Sequence, residues 1–409
     1  MIDERPLRWP FFEESHRRLA RRFGDWVAAE LGSFESDEGG DGRAAREIFQ
    51  RLGRGGWLAS SLPPERGEGR SQRLDLRAAC LVREILGYSS AIADVGFSEP
   101  WLAILPIALF GSERQRRAWV TGYVDGQRLP AFALSEPGAG SDAAAIEMVA
   151  RADGGSYVLD GLKTWTSNSG LADSYVVFAR TAAVGAAKSI SAFVVDGGHA
   201  GIRLEERLSV LSPHTVGTLR FHDVRVPADA LLGEPGQGLS IALAALELFR
   251  PTVGAAAVGF GRRALDAALA RSVERVAFRK PIAEHQLIQA KLADMALELE
   301  AAALLVYRAA WAHDVTGPGI AREAAMAKLY ATEAAQRIVD EAVQLLGGRG
   351  VTAGEPVERL YREVRALRIY EGTSEIQRLV IAGQLLAAEA ATSPVTEAAT
   401  RPLTEASHG

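Results

Sequence analysis

Cysteine is almost missing from these 409 residues. The single Cys80 excludes an internal disulfide and any cysteine metal cluster. No metal site is expected, and redox chemistry, if the chain performs any, has to come from a bound cofactor. Lysine is nearly as scarce, standing only at positions 163, 188, 280, 291 and 328, with arginine supplying the other basic charges. A net positive charge is absent too: 51 acidic residues against 46 basic ones leave a formal charge of −5. No overall positive field draws the chain onto phosphate backbones, so no nucleic-acid partner is expected. Long uninterrupted apolar runs are also lacking. The longest candidate, IALAALELFRPTVGAAAVGF at 241–260, is broken by Glu247, Arg250 and Pro251 and predicts a buried helix, with no membrane partner. The opening MIDERPLRWPFFEESHRRLARRF is charged from its third residue and has no apolar core before a small-residue cleavage site, so it does not read as a secretory signal. Asp3, Glu4, Glu13 and Glu14 argue against an Arg-rich transit peptide. The expected location is the bacterial cytoplasm.

What is present is a globular composition, 48% hydrophobic and 24% charged, with ample chain to bury a large core. The first 125 or so residues read as helices. Phe12, Leu19, Phe23, Trp26, Val27 and Leu31 follow three-and-four spacing, as do Ile48, Phe49 and Leu52, then Cys80, Leu81 and Ile85. SLPPERGEGRSQR (61–73) has loop composition. From 131 the period changes to short β-branched or aromatic runs punctuated by Gly, Asp and Ser: AFAL, IEMVAR, SYVLDG, SYVVFAR, ISAFVV and TLRFHDVRV. Helical patterning returns at about 238–273, 284–314, 319–346 and 373–391, which predicts an antiparallel four-helix bundle. The fold class is therefore α+β with segregated layers: an N-terminal helical domain (1–128), a middle β-barrel or sandwich domain (129–237), a C-terminal four-helix bundle (238–392) and a disordered tail (393–409). No G-x-G-x-x-G follows a strand, so a Rossmann dinucleotide site is not supported.

Three stretches carry candidate chemistry. In AFALSEPGAGSD (131–142) small residues let backbone N–H groups approach a ligand, with Ser135 and Ser141 adding hydroxyls; the alternative is an ordinary Gly-rich turn. In DGLKTWTSNSG (160–170) Trp165 can lie against a planar ring such as a flavin while Ser167 bonds its edge, or it can be a plain core aromatic. In RIYEGTSEIQR (368–378) Glu371 precedes Gly372 just before a helix. It can act as a general base, or it can belong to an acidic helix N-terminus.

These stretches, together with RVAFRKPIAEHQLIQAKLADM (275–295), QLLGGRG (344–350) and PVERLYREVRALRIYEGTSEIQ (356–377), occur in an order and spacing that resemble the acyl-CoA dehydrogenase family. The resemblance covers roughly residues 108–390 and implies FAD as cofactor, an acyl-CoA or acyl-carrier-protein substrate, an electron-transfer flavoprotein as acceptor, and a homodimer or homotetramer. It implies that Phe132, Leu134, Ser135, Gly140, Ser141, Trp165 and Ser167 embrace the flavin, with Ser141 also near the acyl carrier. Arg275, Phe278 and Gln286, with Gln344, Gly347 and Gly348 of a partner, would reach the pyrophosphate and adenine side. Thr373 and Glu375 would hold the cofactor beyond the base.

Glu371 occupies the position of the family's base, which takes the α-proton of the thioester as the β-carbon gives up hydride. Glu247 sits on the helix that carries the base in some branches and is a second candidate for it; the intact YEGTSE context favours Glu371, which leaves Glu247 and Arg250, with Gly372 and Trp101, on the substrate side. Trp101 is expected to line and shorten the acyl pocket. Two departures stand out. Arg279 replaces a usual Gly, and Ser212, His214 and Val216 stand where the family has R-x-S-x-T; His214 there is either a ligand contact or a histidine satisfied by a local partner. An acyl-thioester oxidase using oxygen, and a non-catalytic or DNA-associated relative, are the alternative functions.

Overall fold

The computed structural model describes residues 5–32, 34, 42–63, 74–182, 188–212 and 214–392. The expected tail and residues 64–73 of the expected loop lie outside this set. Among the described residues five α-helices come first: α1 (Glu14–Glu30), α2 (Arg43–Arg54), α3 (Leu76–Ser89), α4 (Ala91–Phe110) and α5 (Glu113–Val124). α1 buries Phe23 and Val27 of the stripe read from the sequence, with Ala20 beside them. Ser90 divides α3 from α4: its extended backbone stops the first, and its hydroxyl accepts the Ala93 N–H that starts the second. α4 is apolar on every side and is buried accordingly.

Eight strands follow: β1 (Pro130–Ala133), β2 (Val149–Asp153), β3 (Ser156–Ser167), β4 (Ser174–Arg180), β5 (Ile190–Asp196), β6 (Ile202–Leu208), β7 (Val216–Pro227) and β8 (Leu231–Leu232). Their order in the sheet is β6-β7-β3-β2-β4-β5-β8, with β1 running parallel to β4. The sheet curls on itself. Tyr175 of β4 meets Phe221 of β7 edge-on at 6.3 Å between ring centres, although β2 and β3 separate those strands in the ladder. Inner residues of β1 to β5 and β7 share one core. β6, IRLEERL, is absent from the sequence reading because its side chains are exposed or half-exposed and mostly charged, so it carries no apolar alternation.

The bundle consists of α6 (Gly238–Glu274), α7 (Gln286–Thr316), α8 (Ala321–Leu346) and α10 (Ser374–Thr392), with the shorter α9 (Pro356–Val364) inserted before α10. The 241–260 run lies within α6, mostly inside the protein against α3, α7 and α8. By length and composition alone α4 and α6 could each span a bilayer, and both are largely buried here.

The N-terminal helices and the bundle form one continuous core. Contact between α3 and α6 is close because Gly87 faces Ala256 and Gly259 faces Glu84; a Cβ on either glycine would collide with a carbonyl oxygen opposite. Arg83 of α3, only 1% exposed, clamps Asp94 of α4 with two bonds of 2.8 and 2.6 Å. It also donates to the Thr252 hydroxyl of α6 at 3.2 Å, with the Phe249 ring 4.8 Å from the guanidinium carbon. Three helices are thereby fixed at one point.

Between α6 and α7 runs a two-residue hairpin, β9 (Val276–Ala277) and β10 (Lys280–Pro281). Its turn residues Phe278 and Arg279 have φ of 51° and 70°, both left-handed, which is the geometry of a type I′ turn and favours glycine. The arginine at 279 therefore stands at a position where the backbone itself favours Gly. Arg279→Gly should raise the unfolding free energy by about 0.5–1 kcal/mol, less than the full relief of strain because Gly also loosens the unfolded chain. Calorimetry reads this as a higher Tm; a lower Tm would contradict it.

Candidate active site

Glu371 sits in the short connection between α9 and α10 with a left-handed φ of 58°, and Gly372 follows with φ of 93°. Two successive left-handed residues turn the chain sharply, and the second must be glycine: a Cβ there would stand 2.6 Å from Nε2 of Gln377. The turn is held through its carbonyl oxygens. Arg250 Nε of α6 donates to Glu371 O at 3.4 Å, and Lys328 Nζ of α8 donates to Gly372 O at 2.8 Å. Gln377 of α10 donates to both, at 3.2 and 2.9 Å. The Thr373 hydroxyl accepts the Ile376 N–H and caps α10. Ser374 donates to Glu333 of α8 at 2.6 Å, and Arg368 pairs with the same carboxylate at 2.9 Å, so the turn is pinned on both flanks.

Burial raises the Glu371 carboxyl to about 7, and the neighbouring Glu99 carboxylate pushes in the same direction; Lys328, Arg250 and Arg83 oppose both. Glu371 as a residue is half-buried. Lys328 is fully buried and is pulled down to about 8 by desolvation, with Glu371 the largest opposing influence. Desolvation also lowers Arg250, against the pull of Glu371 and then Glu247. A carboxylate poised near neutrality among three cations can hold a proton taken from a carbon acid and release it again.

The sheet supplies the second wall. Buried Lys163 of β3 donates to Leu134 O at 2.9 Å and to Glu136 at 2.7 Å, and Thr164 N donates to Ser135 O at 2.9 Å. The strand end at 134–136 and the Trp-bearing stretch are thus bound to each other. Glu136 also receives Met148 N at 3.0 Å, which closes the turn after β1. The ladder between β3 and β7 slips between Lys163 and Thr166. In that bulge Trp165 takes φ of 54° and is 60% exposed, while Lys163 points inward. A large aromatic held outward in a disfavoured conformation is unlike a core residue. Gly138 and Gly140 have no protein atom within 4 Å of where a Cβ would lie. An open backbone turn beside an outward indole fits a flat cofactor such as a flavin. α4 packs against β1 while its Glu99 faces Glu371, which joins the two walls.

The other sequence candidates fall in several places. Phe132 is half-buried, packed on Phe178 at 4.9 Å; Leu134 is buried, Ser135 and Ser167 half-buried, and Ser141 exposed. His214 has a local partner, its Nε2 lying 3.0 Å from Ser167 Oγ. Two substrate-side assignments need correction. Trp101 has no exposed surface: its N–H donates to Ser61 O at 2.9 Å and its ring stacks on Phe97 and Phe249, so it stands behind a wall and does not line one. Glu247 gives one carboxylate oxygen to the N–H groups of Gly319 and Ile320, 3.0 Å each, and so ties down the loop that leads into α8.

Arg275, Phe278 and Gln286 lie at the end of the bundle where α8 finishes with Gln344, Gly347 and Gly348, an end marked by the Lys291–Glu341 ion pair. Lys328 and Gln344 are 16 residues apart on α8, about 24 Å along its axis, so one chain does not bring that group to Glu371. Glu375, on the first turn of α10, is exposed.

Sequence reasoning missed Lys328, Gln377, Glu99 and the Lys163–Glu136 pair. Signals existed for some of them. Lys163 and Lys328 are two of only five lysines, and Glu99 is a charge inside the apolar ADVGFSEPWLAIL.

This is an acid–base site on a helical bundle, linked through α4 to the open turn and outward indole of a curled sheet. Three family models match the chain in succession: the acyl-CoA dehydrogenase N-terminal domain over 13–127, its middle domain over 131–224 and its C-terminal domain over 236–386. The short-chain specific acyl-CoA dehydrogenase, mitochondrial, of Homo sapiens is 42% identical over 377 residues, 91% of this chain and 90% of that protein. The structure of butyryl-CoA dehydrogenase from Megasphaera elsdenii is 34% identical with a TM-score of 0.81, covering 91% of this chain and 97% of that one. A glutaryl-CoA dehydrogenase from Mycobacterium smegmatis in complex with FADH2 is 29% identical with a TM-score of 0.81, covering 94% and 97%. The chain belongs to the acyl-CoA dehydrogenase family.

The carboxyl of Glu371 should titrate at lower pH once the like charge of Glu99 is removed. Isotope-edited infrared titration, with E371Q to assign the band, should show a lower midpoint in E99Q than in the unsubstituted protein. An unchanged or higher midpoint would contradict the placement of Glu99 beside Glu371.

Proposed function

We propose that the chain is an FAD-dependent dehydrogenase that desaturates an acyl thioester between its α and β carbons, with Glu371 as the base. The observation that carries this reading is a carboxylate raised to about 7 on a turn fixed by Arg250, Lys328 and Gln377. An α-hydrogen beside a thioester is only weakly acidic, and a carboxylate of ordinary pKa would be a poor base for it; desolvation narrows that gap. FAD, when bound, supplies the acceptor for the hydride that leaves the β-carbon. Glu371 takes the α-proton onto its carboxylate, Arg250 and Lys328 keep that carboxylate ionisable near neutral pH, and Gly372 leaves the approach to it clear of a side chain. On the opposite wall Ser135, Trp165 and Ser167 are the proposed flavin contacts, with Gly138 and Gly140 admitting the ligand to the backbone.

Relatives named for short-chain and butyryl thioesters support a short acyl group on CoA. An electron-transfer flavoprotein is the proposed acceptor. A homodimer or homotetramer is supported by the surface at the far end of the bundle, where Phe278 is 90% exposed and Leu287 79% exposed beside Arg275 and Gln286. A second subunit laid there would bring the 275–286 and 344–348 groups to sites that one chain cannot complete.

Glu371→Gln should keep bound yellow flavin and lose turnover by about 10³-fold or more, the scale of a removed general base. Anaerobic bleaching of the flavin by butyryl-CoA is the measurement. Bleaching of E371Q at the unsubstituted rate would refute the assignment.

A further inference from the structure

Ser167 closes β3 between two left-handed stretches of backbone, with Trp165 at φ 54° on one side and Asn168 at φ 56° on the other. Asn168 N donates to Thr215 O at 2.9 Å and Ser167 pairs with Val216 in the ladder, so the segment entering β7 is bound against the end of β3. This registry brings His214 to Ser167, with Nε2 and Oγ 3.0 Å apart. A serine hydroxyl has one hydrogen to give and two lone pairs to receive with. If the imidazole nitrogen is bare, the hydroxyl spends its hydrogen on the ring. If Nε2 carries the hydrogen, the imidazole donates to Oγ and the hydroxyl hydrogen is committed to some other acceptor. A hydroxyl that is itself receiving a hydrogen bond is polarised and is the stronger donor for it.

We propose that His214 is a positioning residue for the flavin: it donates Nε2–H to Ser167 Oγ and so directs the Ser167 hydroxyl hydrogen to the edge of the cofactor ring. The proposal rests on the reading of Ser167 as a flavin contact given above. It gives a role to one of the residues by which this chain departs from the R-x-S-x-T pattern, and it explains why a histidine there does more than satisfy itself. A directed donor at the ring edge favours the reduced, more electron-rich flavin over the oxidised one and tightens the hold on both. Loss of the imidazole frees the serine hydroxyl to rotate, which weakens a bond of ordinary strength and costs between about threefold and tenfold in affinity.

The test uses FAD-reconstituted full-length protein and reads two quantities besides activity: the FAD dissociation constant and the midpoint potential of the bound flavin, with Tm as a structural control. His214→Ala should raise the dissociation constant about threefold to tenfold and lower the potential at nearly unchanged Tm. His214→Gln, whose amide N–H can still reach Oγ, should restore most of both. The double variant S167A/H214A should match S167A alone, because His214 acts only through Ser167. If H214A leaves the potential and affinity unchanged while S167A shifts them, Ser167 touches the flavin and His214 is not needed, which overturns the proposal. If S167A itself shifts neither quantity, the flavin contact fails at its root and the proposal falls with it, an outcome distinct from the first. Should H214A not hold FAD, His214→Asn, too short to reach Oγ, takes its place; a potential and affinity equal to those of the unsubstituted protein in H214N would likewise overturn the proposal.

Discussion

Two main-chain carbonyls, those of Glu371 and Gly372, receive the donors of three buried side chains, and the position of Glu371, the proposed base, depends on that contact. The backbone there is doubly left-handed, a conformation that costs free energy at Glu371 and is open to Gly372 only because it lacks a Cβ. Arg250, Lys328 and Gln377 come from α6, α8 and α10, so the bundle converges on the turn. Two of those donors, Arg250 and Lys328, also place positive charge near the carboxylate and oppose the rise that burial and Glu99 impose.

That double use appears again in the sheet. Lys163 and Lys328 are both fully buried, both pulled down to about 8 by desolvation, and both spent on a carbonyl oxygen beside a functional stretch. A lysine-poor chain places two of its five lysines as internal clips, where a compact charge on a long stem can reach an isolated carbonyl. Arginine takes the planar tasks: Arg83 grips Asp94 with two bonds and steadies α3, α4 and α6 behind the site. α4 also carries Glu99, whose charge acts with burial to bring the Glu371 carboxyl up to about 7.

How much of this the sequence disclosed follows from what each feature depends on. Helices and most strands are local periodicities, and they appear where the apolar spacing puts them. β6 and α9 escape because one is a charged, exposed strand and the other a single short amphipathic turn set. Glu371 and Gly372 are legible in YEGTSE, since the glycine and the helix start are encoded side by side. Lys328, Gln377 and Glu99 are not legible as a set, because they meet only when three separate helices pack. Trp101 and Glu247 show the converse: residue type suggested a pocket wall and a mouth, while packing gave the indole to the interior and the carboxylate to the loop that leads into α8. Arg279 and His214, visible as departures from the family pattern, acquire physical meaning only with the left-handed turn and the Ser167 contact in view.

The account stands on Glu371 being a desolvated carboxylate that works in its ionised form with a pKa of about 7. Because the ionised form does the work, the rate must rise with pH through that value. The most direct measurement is the stopped-flow rate of anaerobic flavin reduction by a short acyl-CoA between pH 5 and 9. An acid limb with its midpoint near 7 is the predicted result; a rate that is flat across this range, or a limb centred near the ordinary glutamate value of about 4.3, would contradict it.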